Sequence, residues 1–129
     1  MILHVLGTAQ DGGYPHAGCK KDCCKLIWDK PLMHRLPTCI ALIDKKNQKF
    51  YLFDMTPNIK EQLHLLEVYD CKLAGIFITH AHIGHYLGLL DLGLEIMNTK
   101  DVPIYVMSRM KNFIFKNQPF RQLVDKKIL

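Results

Sequence analysis

Apolar residues run along this chain in short blocks of five to twelve, broken by Gly, Pro, Asn and Lys. ILHVL at residues 2–6 is too short for a helix and predicts a strand, followed by a loop over 7–18, GTAQDGGYPHAG. A short helix is expected over residues 21–28, closed by Pro31. TCIALID and KFYLFD flank the polar turn KKNQ, which predicts a β-hairpin over residues 38–54. In DMTPNIKEQLHLLEVY, Thr56 suits the cap and Pro57 the first position of a helix. Ile59, Leu63 and Leu66 then fall on one stripe. LAGIFIT at 73–79 reads as an interior strand, and Leu87, Leu90, Leu94 and Met97 predict a helix over 86–97. VPIYVM at 102–107 predicts a further strand, and Ser108 the cap of a last helix through about Lys116. The order β, ββ, α, β, α, β, α defines an α/β fold, a mixed sheet with flanking helices.

The chain has 129 residues and a mass of 14.9 kDa, enough for one packed unit, so residues 1–129 are treated as a single domain. The apolar blocks fall far short of the roughly 18 residues that cross a bilayer, which argues against a membrane partner. The start, MILHVLGTAQ, lacks the basic region and long apolar core of a secretory signal, so the expected location is cytoplasmic. The formal charge of +5 is spread thinly, in small clusters at Lys45, Lys46 and Lys49 and at Lys126 and Lys127. That distribution suits a solvated surface, with a weak pull toward a small anionic substrate. It is a poor match to nucleic-acid binders, which gather Lys and Arg on one face. Five cysteines cannot all pair within one chain, and GCKKDCC is not the spacing of a disulfide framework. Cys39 and Cys71 lie in or beside apolar segments and read as small buried hydrophobes.

Residues 78–89, ITHAHIGHYLGL, put three histidines into six positions directly after an apolar run. On a helix, His80 and His82 would point about 200° apart. In an extended segment leaving a strand they share a face, and a turn through Gly84 brings His85 beside them. Neutral imidazole is a good ligand for zinc or iron, so the pattern predicts a metal site at His80, His82 and His85.

That pattern resembles the metallo-β-lactamase superfamily, whose motif is His-x-His-x-Asp-His after a buried strand. HVLGTAQDGGYPHAGC is similar to the opening of the coenzyme PQQ synthesis protein B group, and of related cyclic phosphodiesterases. FDMTPNIKEQL is similar to the next block of the same group, and the resemblance covers roughly residues 2–107. It implies that His80 and His82 serve one metal and His85 a second. Gly84 departs from the motif, having no carboxylate to offer, so one ion or a weakly filled pair is expected. Zinc is the expected cofactor, as one or two ions, with iron or manganese as alternatives. Asp54 matches the family's acidic residue that orients the metal loop; by its position it also suits a cap for the helix near Pro57. Relatives hold a structural zinc with Cys-x-Cys-x-x-Cys. Here Cys19 and Cys24 match the outer positions, Lys21 takes the middle one, and Cys23 is the substitute, although adjacent thiolates need a contorted backbone to share an ion. His16 or His34 could complete such a site. In the family the glycine loop lines the active site, which makes Asp11 a substrate-lining candidate or a simple turn residue.

A complete domain of this family is an αββα sandwich, and the match implies its N-terminal half. The later half brings further ligands, whereas residues 108–129 hold no histidine and one carboxylate, Asp125. The expectation is a metal-dependent hydrolase-like protein acting on a phosphodiester or other ester, with self-association or pairing with a missing C-terminal half. The alternative is a non-catalytic metal-binding or assembly module. No catalytic residue is assigned.

Overall fold

Strand β1 (Ile2–Gly7) lies antiparallel to β2 (Cys39–Asp44), and β2 antiparallel to β3 (Lys49–Phe53), in a computed structural model that describes all 129 residues. β4 (Lys72–Phe77) joins β3 in parallel, and β5 (Ile104–Tyr105) joins β4 in parallel, giving one mixed sheet in the order β1-β2-β3-β4-β5. The β2–β3 hairpin turns through Lys45–Asn47, where the Asp44 carboxylate accepts from the Asn47 backbone N–H at 3.3 Å and side-chain amide at 2.6 Å. Gln48 supplies the left-handed residue that ends the turn (φ 51°).

Alternation along the strands separates two faces. Ala41 and Ile43 of β2, Phe50 and Leu52 of β3 and Ile76 of β4 point into one core. Ile59, Leu89, Leu92, Met110, Ile114, Phe120 and Leu123 cover them. Those cover residues come from α2 (Ile59–His64), a 3-10 segment at Leu87–Leu92, α3 (Ser108–Lys116) and α4 (Phe120–Asp125). The opposite face carries Leu3, Val5 and Tyr105, all exposed, beside a stack of Phe53 on Phe77 (centroids 5.0 Å apart) and Phe77 on Tyr105 (4.4 Å).

Several elements differ from the sequence expectation. The first helix, α1, is only Asp22–Lys25. α2 begins at Ile59 rather than at Pro57; Thr56 still makes a cap-like contact at its entry, its hydroxyl accepting from the Asn58 N–H at 3.1 Å and donating to the Gln62 Oε1 at 2.6 Å. Gln62 in turn donates to the Pro37 carbonyl at 2.7 Å, so two fully buried polar side chains are satisfied within the core. The predicted helix over 86–97 is a 3-10 segment at Leu87–Leu92 followed by turns. A spacing of three eclipses residues i and i+3, so Leu89 and Leu92 are buried while Leu94 and Met97 are exposed. The strand over 102–107 shrinks to Ile104–Tyr105, and α3 starts at Ser108 with Met107 in the cap position. α4, absent from the sequence expectation, follows directly. No helix is long and apolar enough to cross a membrane.

Candidate metal centre

Chain leaving the C-terminal ends of β3 and β4 builds the site. β3 ends at Phe53, and Asp54 follows with a left-handed backbone (φ 70°) while its N–H donates to the Phe77 carbonyl at 2.8 Å. This turns the Asp54 carboxylate, 4 % exposed, toward the segment after β4. Its Oδ1 accepts from the Thr79 N–H at 2.8 Å and the Thr79 hydroxyl lies 2.9 Å from both oxygens. Its Oδ2 pairs with His85 Nδ1 at 2.7 Å. Thr79 Oγ1 also lies 2.9 Å from His80 Nδ1. Asp54 therefore grips the histidine loop and does not cap α2.

Main-chain bonds fix the same loop from beneath. Met55 N–H donates to the His85 carbonyl at 2.8 Å and Gly88 N–H to the Met55 carbonyl at 3.0 Å. A Cβ on Gly88 would overlap the Thr56 carbonyl oxygen, so this close approach requires glycine.

His80 and His82 leave β4 in extended chain, and the 3-10 turn Ile83–His85 folds His85 back onto them. Ring centroids are 4.5 Å apart for His80 and His82, 4.0 Å for His80 and His85, and 6.5 Å for His82 and His85. His80 thus stands between the other two. In both His80 and His85 the Nδ1 side is engaged by a neighbour, leaving the Nε2 edges for a ligand. This is how metal-binding imidazoles are oriented: the second ring nitrogen is held by a carboxylate or another polar group. By chemistry and orientation His80, His82 and His85 are the residues that would hold a divalent cation, although, unlike the three thiols, their ligand atoms do not all lie within 4.8 Å of one another and the His82 and His85 rings would have to draw closer.

A cleft of about 720 Å³ opens beside these rings, lined by the β1 loop from Thr8 to Gly12, His16, Thr38 and the segment from Ala81 to His85. Asp11 enters it from the loop. The Gly84 N–H donates to Asp11 Oδ2 at 3.0 Å, and Asp11 Oδ1 lies 3.5 Å from His85 Nε2. The Gly84 N–H above all holds the Asp11 carboxyl below its ordinary range; burial opposes it, and Asp11's own N–H, then His85 and His82, add smaller lowering effects.

The three thiols form a second cluster. The Sγ atoms of Cys19, Cys23 and Cys24 lie within 4.8 Å of one another. Tetrahedral zinc with Zn–S bonds near 2.3 Å separates its sulfurs by about 3.8 Å, so modest closure would suffice. Cys23 and Cys24 sit in the helical turn α1, so the juxtaposition does not need the contorted backbone expected of adjacent ligands. Neither proposed histidine joins them. His34 Nε2 is 3.0 Å from the Ile27 carbonyl, and His16 faces the cleft with its ring packed over Gly12. Cys39 is fully buried, and burial first, then the nearby Asp54 charge, push its thiol up to about 12, so it is a packing residue. Cys71 is half-buried, with its thiol directed at the Tyr69 carbonyl.

Thr79, Gln62 and the position of His16 escaped the sequence reading. A Thr ending an apolar run is a weak signal, and Gln62 sits in an ordinary helical pattern; only its burial exposes its role. His16 was legible as a ligand type but not as a cleft residue.

With this geometry described, comparison with known proteins adds the lineage. No family model matches the chain. The mixed sheet and its covering helices match the metallo-β-lactamase fold of solved structures. The chain is similar to coenzyme PQQ synthesis protein B of Methylococcus capsulatus, 28 % identical over 133 residues, covering 97 % of this chain and 43 % of that protein. Zinc-bound PqqB from Methylobacterium extorquens shares the fold with a TM-score of 0.75 at 21 % identity, over 92 % of this chain and 41 % of that one. A diphosphatase from the PhnP family superposes with a TM-score of 0.68 at 28 % identity, over 88 % and 44 %. The chain thus spans about two-fifths of the length of the relatives it matches.

Proposed function

We propose that this chain supplies the histidine-bearing part of a divalent-metal hydrolase centre, with zinc as the first candidate ion, acting on a phosphodiester or other anionic ester. The observation that carries the reading is the Asp54 carboxylate, buried behind the loop and bonded to both Thr79 and His85 Nδ1. Burying a carboxylate without partners is costly, and here its partners are the residues that aim imidazoles into a polar cleft. The zinc-bound PqqB and the PhnP-family diphosphatase support the metal and the phosphoryl substrate class.

A bound divalent ion supplies a Lewis acid and lowers the pKa of coordinated water to near 7. The chain's own residues do the positioning. Asp54 and Thr79 set the rotamers of His85 and His80, and the Gly84 N–H anchors Asp11 at the cleft wall. His16 and Thr38 line the same cleft, the Thr38 hydroxyl donating to the Ala9 carbonyl at 2.9 Å. The family resemblance places further ligands in a later half, so full activity is proposed for this chain together with such a half.

A second reading, a non-catalytic metal-binding module, draws on the clustered thiols of Cys19, Cys23 and Cys24. Metal analysis of the purified protein and of its His80→Ala and Cys24→Ala variants separates the two. Loss of one metal equivalent in His80→Ala, with hydrolysis of a bis-aryl phosphodiester by wild type in the presence of such a later half and none by the variant in its presence, supports the hydrolase centre. Metal lost only in Cys24→Ala, with no hydrolysis by any form, replaces it with the module. Unchanged metal content in both variants undoes both readings.

A further inference from the structure

Gly84 occupies the place of the acidic residue in the histidine motif, and the structure shows why glycine stands there. Its backbone is not in the left-handed region, so conformation does not demand it. Space does. A Cβ at position 84 would fall 2.6 Å from both Cβ and Cγ of Asp11 and 2.7 Å from its Cα. The volume a side chain at 84 would enter is already filled by Asp11, which arrives from the β1 loop, 73 residues earlier in the chain.

The carboxylate is held there in a defined orientation. Oδ2 accepts the Gly84 N–H at 3.0 Å, while Oδ1 lies 3.5 Å from His85 Nε2, the ring edge left open by the Asp54 contact. Zinc–nitrogen and zinc–oxygen bonds of about 2.1 Å at a tetrahedral angle separate two donors by about 3.4 Å. A carboxylate with one oxygen on a backbone N–H and the other turned toward an imidazole has the arrangement of a supported metal ligand.

We propose that Asp11 supplies the carboxylate missing at position 84, acting with His85 as a ligand for a divalent cation in the cleft. The proposal rests on the reading of His80, His82 and His85 as a metal centre, and extends it by assigning the second carboxylate-bearing position to a residue on a different loop. The part of the site carried by this chain then has three imidazoles and a carboxylate although the local motif lacks the acid.

The test uses Mn(II), a hard cation that favours oxygen and imidazole donors over thiolates and so discriminates against the cysteine cluster. Binding is followed by the loss of the free-ion electron paramagnetic resonance signal on titration. Wild type, Asp11→Asn, Asp11→Ala and His80→Ala are compared, with metal-free thermal unfolding as the check on fold. The expected result is a fall in affinity of roughly 10-fold or more in both Asp11 variants. Asp11→Asn retains an acceptor for the Gly84 N–H, so its melting temperature should match the wild type. If wild type binds, His80→Ala does not, and the Asp11 variants bind as wild type does, Asp11 is only an ion-pair partner of His85 and the proposal fails while the metal centre stands. If wild type itself does not bind, or His80→Ala binds unchanged, the underlying reading fails. Should Asp11→Asn unfold, Asp11→Ala decides: weakened binding in the folded variant supports the proposal, wild-type binding overturns it.

Discussion

Asp54 adopts a backbone conformation that costs a non-glycine residue roughly 1–2 kcal/mol, yet three hydrogen-bonding groups depend on it. Removing its carboxylate leaves the Thr79 N–H and the His85 ring without their acceptor. Asp54→Ala should therefore destabilise the fold by about 1–3 kcal/mol, measurable as a lowered urea midpoint. The same change should weaken metal binding by roughly 10–100-fold, because His85 loses the contact that sets its rotamer. Stability lost with metal affinity unchanged would show that packing alone orients the ring. The motif pattern made Asp54 visible in the sequence. What could not be read there was which of two jobs it performs, since capping a helix and gripping a loop ask for the same residue type. The positive φ and the distance to His85 settle that choice. At position 84 the sequence shows only a missing carboxylate; the substitute lies 73 residues away, beyond the reach of any local spacing.

Between elements, the segment 86–97 carries the clearest lesson. Its leucines fit a 3.6-residue period, but the segment is tethered at Gly88, whose N–H donates to the Met55 carbonyl and where a Cβ would overlap the Thr56 carbonyl oxygen. That tether, together with the turn at Gly93, favours the tighter 3-10 winding and buries Leu89 and Leu92 instead of the predicted stripe. Gly88→Ala places a methyl against main-chain atoms that cannot rotate away, and should cost about 1–3 kcal/mol or more. Chemical denaturation reads that loss. Because the same contact supports the histidine loop, metal affinity should fall with it, whereas exposed Leu94→Ala should leave both unchanged. The hairpin β2–β3 and strand β4, by contrast, were legible because their alternation and turn residues are local properties.

For the molecule as a whole, one sheet face is covered by helices and the other presents Leu3, Val5, Phe53, Phe77 and Tyr105 with no layer over them. An apolar strip of this kind in water favours association. Sedimentation at rising concentration should show species larger than the 14.9 kDa chain, and Tyr105→Lys, at a residue 47 % exposed, should reduce them. A monomer at every concentration would mean that the strip is tolerated in water. By itself the sequence determined most of the strands, the mixed α/β class, the imidazole cluster and the resemblance to metallo-β-lactamase proteins, because each is written in periodicity or in residues close together along the chain. Only the tertiary structure decided how α2 and segment 86–97 wind, which nitrogen of His85 faces the cleft, and that Asp11 fills the space beside Gly84. Those outcomes depend on contacts between residues far apart in the chain, where exclusion of one atom by another, rather than local preference, selects the arrangement.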